Sequence, residues 1–472
     1  MIIKTTLSSG EPRPSASTRA PRTASQGKPF MTLVRRLSLN VLSLSLALSA
    51  LISLNGCEVY DGDLPAVDEL QTPVALAVHP SGRYLYVLNA NFSGLYRDDL
   101  GGSLSVVDLE TLQIQEDSTR CLPSFGTDMA FSATHYAEDE PRFIFATTKS
   151  NKGGVVFELN EQGDALRCLN KGEDVGPTCV NNIRDIPGVT RKKRQLPCEI
   201  RNVVNEPSIV TAIPSLEAVT PMEQDAFAIV GQSSGEIRAI NLINGEIRGP
   251  ESNGEQDRAL HITARDFHVS PGAVAAATHP ITGDTYYASR SDNRLFATRW
   301  AREAASSYDE NPRQGFVAHI ARMGLATIPA SSNYQELRDA TFSSDGSRLY
   351  VVSQNPSSLV TIDTSLNDDG KPRNVLVRRD IVAGRVGGIA LVERPDATLA
   401  YLTLFDDRAI AVIDTQTGAR VATIDVGAAP YAITPDPVRS RIYVALFEED
   451  SVVVIDTDPA SPSFHRQIAT IR

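Results

Sequence analysis

Long apolar runs, cysteine and positive charge are all scarce in this chain. Across 472 residues one extended apolar stretch stands out, from Leu37 to Leu54. That excludes a polytopic membrane protein. Basic residues number 45 against 57 acidic ones, for a net charge of −12. Residues 1–56 hold Lys4, Arg13, Arg19, Arg22, Lys28, Arg35 and Arg36 with a single acid, Glu11, so the remainder is more acidic still. Such a body repels nucleic acid phosphates, and no nucleic acid partner is expected. No long run repeats with the 3.6-residue period of a helix. The 31 glycines and 28 prolines are spread along the length, which excludes a coiled coil.

The five cysteines form no Cys-x-x-Cys pair and have no neighbouring histidine partner, so no metal site is assigned. Gly-x-Ser-x-Gly, His-Glu-x-x-His and Gly-rich phosphate loops are absent, so no catalytic residue and no cofactor is assigned.

What is there begins with an address. Residues 1–30 are rich in Ser, Thr, Pro and Arg and read as a non-native or disordered extension, with Met31 the start of the functional chain. Residues 31–56 carry a basic pair, Arg35-Arg36, then the apolar run: the parts of a secretory signal peptide. The ending Leu54-Asn55-Gly56-Cys57 resembles the bacterial lipobox. That resemblance implies cleavage before Cys57 and lipidation of it, with residues 57–72 as a tether. Several acyl chains on one cysteine, as the lipobox resemblance implies, anchor stably, so the expected partner is a membrane. Glu58 after the lipidated cysteine points to the outer membrane within the cell envelope, facing the periplasm or the cell surface. Cys121, Cys168, Cys179 and Cys198 then remain. An even number in an exported chain predicts two disulfides, with the pairing open.

From residue 73 onward a repeat emerges. Residues 398–418 (TLAYLTLFDDRAIAVIDTQTG), 440–457 (SRIYVALFEEDSVVVIDT) and 347–364 (SRLYVVSQNPSSLVTIDT) share two short β-type runs joined by a polar turn. Aromatic-centred copies recur around Tyr86, Phe145, Phe227, Tyr287, Tyr350, Tyr401 and Tyr443. A small-residue strand precedes each pair, as in PVALAV and AVAAAT, and a more polar one follows. Four strands in each of seven units predict an all-β, seven-bladed β-propeller over 73–472. The expectation includes a Cys-containing insert at 165–206 and a second insert near 299–337.

Tyr86-Val87-Leu88-Asn89, Ile413-Asp414-Thr415-Gln416-Thr417-Gly418 and Thr423-Ile424-Asp425-Val426-Gly427 resemble the YVTN-type β-propeller repeat. The likeness is strong in units 1, 5, 6 and 7. Trp300 is the only Trp, which argues against tryptophan–aspartate repeats. Enzymes related to this repeat include lactonase-like hydrolases and quinone-dependent oxidoreductases, so the resemblance keeps an enzyme as the alternative reading. The residues themselves favour a non-catalytic scaffold binding an envelope protein or ligand. An accessory subunit of an envelope secretion or assembly complex is the third reading.

Propellers bind partners on the face built by the turns between second and third strands and by the links between blades. Acidic residues expected there are Asp98, Asp99, Asp292, Asp406, Asp407, Glu448, Glu449 and Asp450. Asp108, Asp363, Asp414 and Asp456, at the ends of third strands, are expected to bind backbone N–H groups and fix the next turn. His79 and His279 are expected to serve separate turns rather than one metal.

Overall fold

The chain is described from a computed structural model, which covers residues 65–94, 101–132, 143–160, 162–167, 169–170, 173–174, 199–212, 224–243, 246–247, 261–262, 271–291, 295–302, 316–323 and 336–472. Seven antiparallel sheets of four or five strands follow one another along it, each one blade of a seven-bladed propeller, and Leu169–Asn170 and Glu173–Asp174 add a two-stranded hairpin among the described residues. The innermost strands are Pro73–Val78, Gly126–Phe131, Pro207–Ala212, Ala273–Thr278, Leu337–Phe342, Val386–Glu393 and Pro430–Asp436. Each touches the innermost strands of the blades on either side, and the seventh touches the first, so they line a closed central channel.

Burial follows from position in the ring. Second strands such as Tyr84–Asn89 and Phe143–Thr148 are buried throughout, because neighbouring blades cover both faces. Their alternating large residues fill the gaps between blades. Tyr86, Tyr286, Tyr287, Tyr401 and Tyr443 are all fully enclosed. Outermost strands such as Val375–Ile381 and Arg420–Asp425 are largely open, and they leave Val375, Val377, Ile381 and Val421 exposed among charged residues. The first strands mix buried and half-buried residues, the half-buried ones facing the channel or its rims. Small side chains fit there because seven strands converge.

In blades 4 to 7 the outermost strand follows the third directly. The stretch 299–337 thus contains the end of the third strand Leu295–Arg302 and the whole outermost strand Phe316–Met323 of blade 4. In blade 2 the outer position is shared by Leu166–Arg167 and Glu199–Ile200, both paired with Gly153–Leu159, so the Cys-containing insert leaves and rejoins one sheet edge.

Blade 7 consists of Pro430–Asp436, Arg441–Leu446, Ser451–Asp456 and Gln467–Ile471, and residues 65–72 add no strand to it. Ring closure rests on packing instead. Leu70, Leu85, Val87 and Leu109 from the blade 1 side meet Tyr443, Val452, Val454 and Ile471 from blade 7. The Thr72 N–H donates to Asp450 Oδ1 (2.6 Å), and Arg439 of blade 7 donates to the Gly82 carbonyl. Gly82 is required at this seam. Its φ is +70°, and a Cβ there would lie 2.8 Å from Val438 Cγ2.

Candidate functional site

One hydrogen bond recurs in every blade and defines one mouth of the channel. The residue after the second strand, or in blade 5 that strand's last residue, donates its N–H to the carbonyl of the residue before the first strand. The pairs are Ala90 to Thr72, Lys149 to Phe125, Gln232 to Glu206, Arg290 to Gly272, Gln354 to Glu336, Phe405 to Arg385 and Phe447 to Ala429, at 2.8–3.1 Å. The accepting residue has a left-handed backbone in six blades: Thr72, Phe125, Glu206, Gly272, Glu336 and Ala429. In blade 6 Gly384, one residue earlier, takes that role. These kinks turn each blade-to-blade link over the channel rim. Side chains at these positions therefore form one ring.

That ring has two unlike arcs. On blades 7, 1 and 2, Tyr431 contacts Phe447 (centroids 5.8 Å apart), Phe447 contacts Phe92 (5.7 Å) and Phe92 contacts Phe125 (5.6 Å). The tilted rings lie within the usual range for aromatic pairs. The arc is open to solvent: Phe92 is 45 % and Tyr431 42 % exposed. On blades 2 to 6 the ring is polar and rich in cations. Lys149 donates to Gln232 Oε1 (2.8 Å). Arg338 pairs with Glu336 (3.4 Å), and Arg385 pairs with Asp406 (3.5 Å) while lying over the Phe405 ring. Arg290 stands between Lys149 and Arg338 with no ion pair among the described residues. Burial lowers the Lys149 pKa, Glu206 opposes this, and the charge of Arg290 lowers it further. Arg338 is likewise pushed down, by burial first and then by Arg290.

Below the rim, two carboxyl groups interrupt the small-residue channel strands. Asp128 and Asp339 occupy the same position in blades 2 and 5, which a ring of seven places across the channel from each other. Asp128 accepts from the N–H of Met129 (2.9 Å) and, in the next blade, Val210 (3.0 Å). Asp339 accepts in the same way from Ala340 (2.8 Å) and Ile389 (2.9 Å). Burial raises the Asp128 pKa to about 7 despite those donors, and the Asp339 charge adds to the rise. Burial raises Asp339 to about 6. Near neutral pH the pair can therefore both donate and accept protons.

The acidic residues singled out in the sequence divide in two. Asp98, Asp99 and Asp292 lie outside the described residues, as do Cys57, Cys168, Cys179 and Cys198. Asp406 and Asp407 occupy the blade 6 turn before Ala409–Asp414, and Glu448, Glu449 and Asp450 the blade 7 turn before Ser451–Asp456. Several of them hold the protein's own chain. Glu449 accepts the Ala428 N–H (2.5 Å), Asp450 the Thr72 N–H, and Asp406 pairs with Arg385.

Asp108, Asp363, Asp414 and Asp456 each accept the N–H of the residue two positions on, at 2.8–3.0 Å. His79 and His279 are buried in separate hairpins. Each ring sits edge-on to a phenylalanine of the next blade, Phe131 at 5.7 Å and Phe342 at 5.1 Å. Among the described residues no group of three or more His, Cys, Asp or Glu is placed to hold a metal ion.

Sequence reasoning missed Lys149, Arg290, Arg338, Arg385, Phe92 and Tyr431, which are scattered single residues brought together only by the ring. Asp128 and Asp339 carried a readable signal. GTDMAF and LRDATF each place a carboxylate third in a strand that is otherwise mainly small and apolar.

No sequence-family profile matches the chain, and no curated protein matches it either. Solved structures similar to it include a β-propeller domain from Myceliophteria thermophila (TM-score 0.48, 10 % identity, covering 82 % of this chain and 98 % of that one). The periplasmic gluconolactonase of Pseudomonas aeruginosa is similar at TM-score 0.46 and 14 % identity, covering 76 % and 86 %. Apo AztD of Citrobacter koseri is similar at TM-score 0.41 and 10 % identity, covering 84 % and 86 %.

Proposed function

We propose that this chain is a YVTN-type propeller anchored by a lipid on Cys57 to the outer membrane of the cell envelope. There it acts as a non-catalytic scaffold that captures an envelope protein at the channel mouth. The observation that carries the reading is the aromatic arc. Four contiguous rings across three blades, two of them open to water, are costly to expose unless something covers them. The lipobox-like ending and the signal-like run at 31–56 support the address. The oxidising compartment implied is consistent with Cys121, which is buried and disulfide-bonded. Peptide mass mapping is expected to find Cys121 joined to one of Cys168, Cys179 and Cys198, and the other two joined to each other.

The test is crosslinking capture of the full lipidated protein from its own membranes, with mass spectrometry of what is enriched. A stoichiometric envelope protein is expected, lost when Phe92→Ser and Tyr431→Ser are combined. Capture indifferent to both substitutions, or none at all, overturns the mouth as the binding site. Cys57→Ser is expected to leave the membrane fraction; its retention there overturns the anchor.

The enzyme reading has one observation on its side, the facing carboxyl groups of Asp128 and Asp339. Hydrolysis of a sugar lactone by the purified protein, abolished in Asp128→Asn, would establish it in place of the scaffold.

A further inference from the structure

We propose that the channel mouth takes an acidic peptide segment carrying an aromatic or branched apolar side chain, the apolar group on the Phe92–Phe447–Tyr431 arc and the acids on Lys149, Arg290 and Arg338. The inference deepens the scaffold reading and rests on it.

Charge complementarity is the first support. The protein is acidic overall at −12, yet three cations from blades 2, 4 and 5 gather on one rim. Burial is the first cause that lowers the pKa of Lys149 and of Arg338, and the charge of Arg290 adds to the lowering of both. Glu206 beside Lys149 and Glu336 beside Arg338 offset part of this charge, but Arg290 has no ion pair among the described residues. The buried Nε of Arg338 has no hydrogen-bond partner among them either. Arg290, exposed and with no ion pair among the described residues, is open to an incoming carboxylate, which would meet it with charge-assisted bonds.

Spacing is the second support. Tyr431 and Phe92 belong to blades 7 and 1, while Arg290 and Arg338 belong to blades 4 and 5, on the opposite side of the ring. A single small anion reaches one arc only. An extended chain of four residues spans about 13 Å and can carry an apolar side chain and a carboxylate to separate places on the ring. Nucleic acid also combines rings with negative charge, but its repeated phosphates meet the repulsion of the whole acidic body.

The experiment is fluorescence anisotropy on the full-length protein in detergent, with labelled Glu-Phe-Leu-Glu, Lys-Phe-Leu-Lys, Glu-Gly-Gly-Glu and a short thymidine oligonucleotide as probes. The acidic aromatic peptide is expected to bind best, and to bind less well as salt rises. Arg290→Gln, at an exposed position, is expected to weaken it about tenfold, the loss of one charge-assisted contact. Lys149→Gln is the second variant, and melting curves check that both fold. Equal binding of the basic peptide or the oligonucleotide, absence of peptide binding, or indifference to both cation variants overturns the inference. In that event membrane capture that still depends on Phe92 and Tyr431 shows that the scaffold reading survives without it.

Discussion

Asp128 and Asp414 are the same residue type under opposite pressures. Asp414 sits near the surface and accepts the N–H groups of Thr417 and Gln416, both at 2.8 Å, which hold its carboxyl below the usual range. It favours the fold once ionised, and that contribution fades as pH falls through its lowered folded-state pKa. Asp414→Ala is expected to cost about 1–2 kcal/mol at neutral pH, read from chemical denaturation. Asp128 and Asp339 work the other way. Burial lifts them to about 7 and about 6, above the 3.8 of an open carboxyl. Their contribution is complete below pH 4 and is lost as pH rises through 6 and 7. Stability is therefore expected to peak near pH 5 and to fall by about 2 kcal/mol toward pH 8, a modest figure because both side chains are partly open to the channel. The double variant Asp128→Asn, Asp339→Asn should lose much less over that range. A wild-type curve that climbs from pH 5 to 8 would refute the burial argument.

The repeated element is the kinked link between blades, and it has its own energetics. A left-handed backbone costs an L-residue about 1–2 kcal/mol, yet Ala429 adopts it at φ +53° to present its carbonyl to Phe447. Ala429→Gly is expected to raise the melting temperature, by relief of about 1 kcal/mol less the added freedom of the unfolded chain. A second element-level repeat links blade pairs. Tyr86 and His79 of blade 1 meet Phe131 of blade 2, and Tyr286 and His279 of blade 4 meet Phe342 of blade 5. The strands themselves were legible in the sequence, because each position in a blade has its own burial and hence its own composition. Tyr401 and Tyr443 mark second strands, and Ala275 and Ala277 a channel strand. The turn role of Asp108, Asp363, Asp414 and Asp456 was legible for a similar reason, since the interaction is local. The mouth was not. Arg290 and Phe92 read as ordinary surface residues until ring geometry sets their side chains beside partners far away in the chain. Glu449 and Asp450 stand out in the sequence as acidic turn residues, and their carboxylates accept the backbone N–H groups of Ala428 and Thr72, contacts that only the ring geometry reveals.

For the whole molecule, the seam between blades 7 and 1 is the place where no chain link runs from an outermost strand to the next innermost one. Leu70 is 2 % exposed in the cluster that spans it. Leu70→Ala is expected to cost about 3 kcal/mol, the usual loss for a buried leucine with a residual cavity. An unchanged denaturation midpoint would show that the seam closes without it. The seam has a kinetic consequence as well. The other junctions must stretch a peptide link to separate, whereas this one parts by desolvating a single apolar interface. Slow amide hydrogen exchange should therefore give way first in Tyr84–Asn89 and Arg441–Leu446, through an opening smaller than global unfolding. The propeller would breathe as a split ring, hinged opposite the cut, with the aromatic half of its mouth riding on the moving lips.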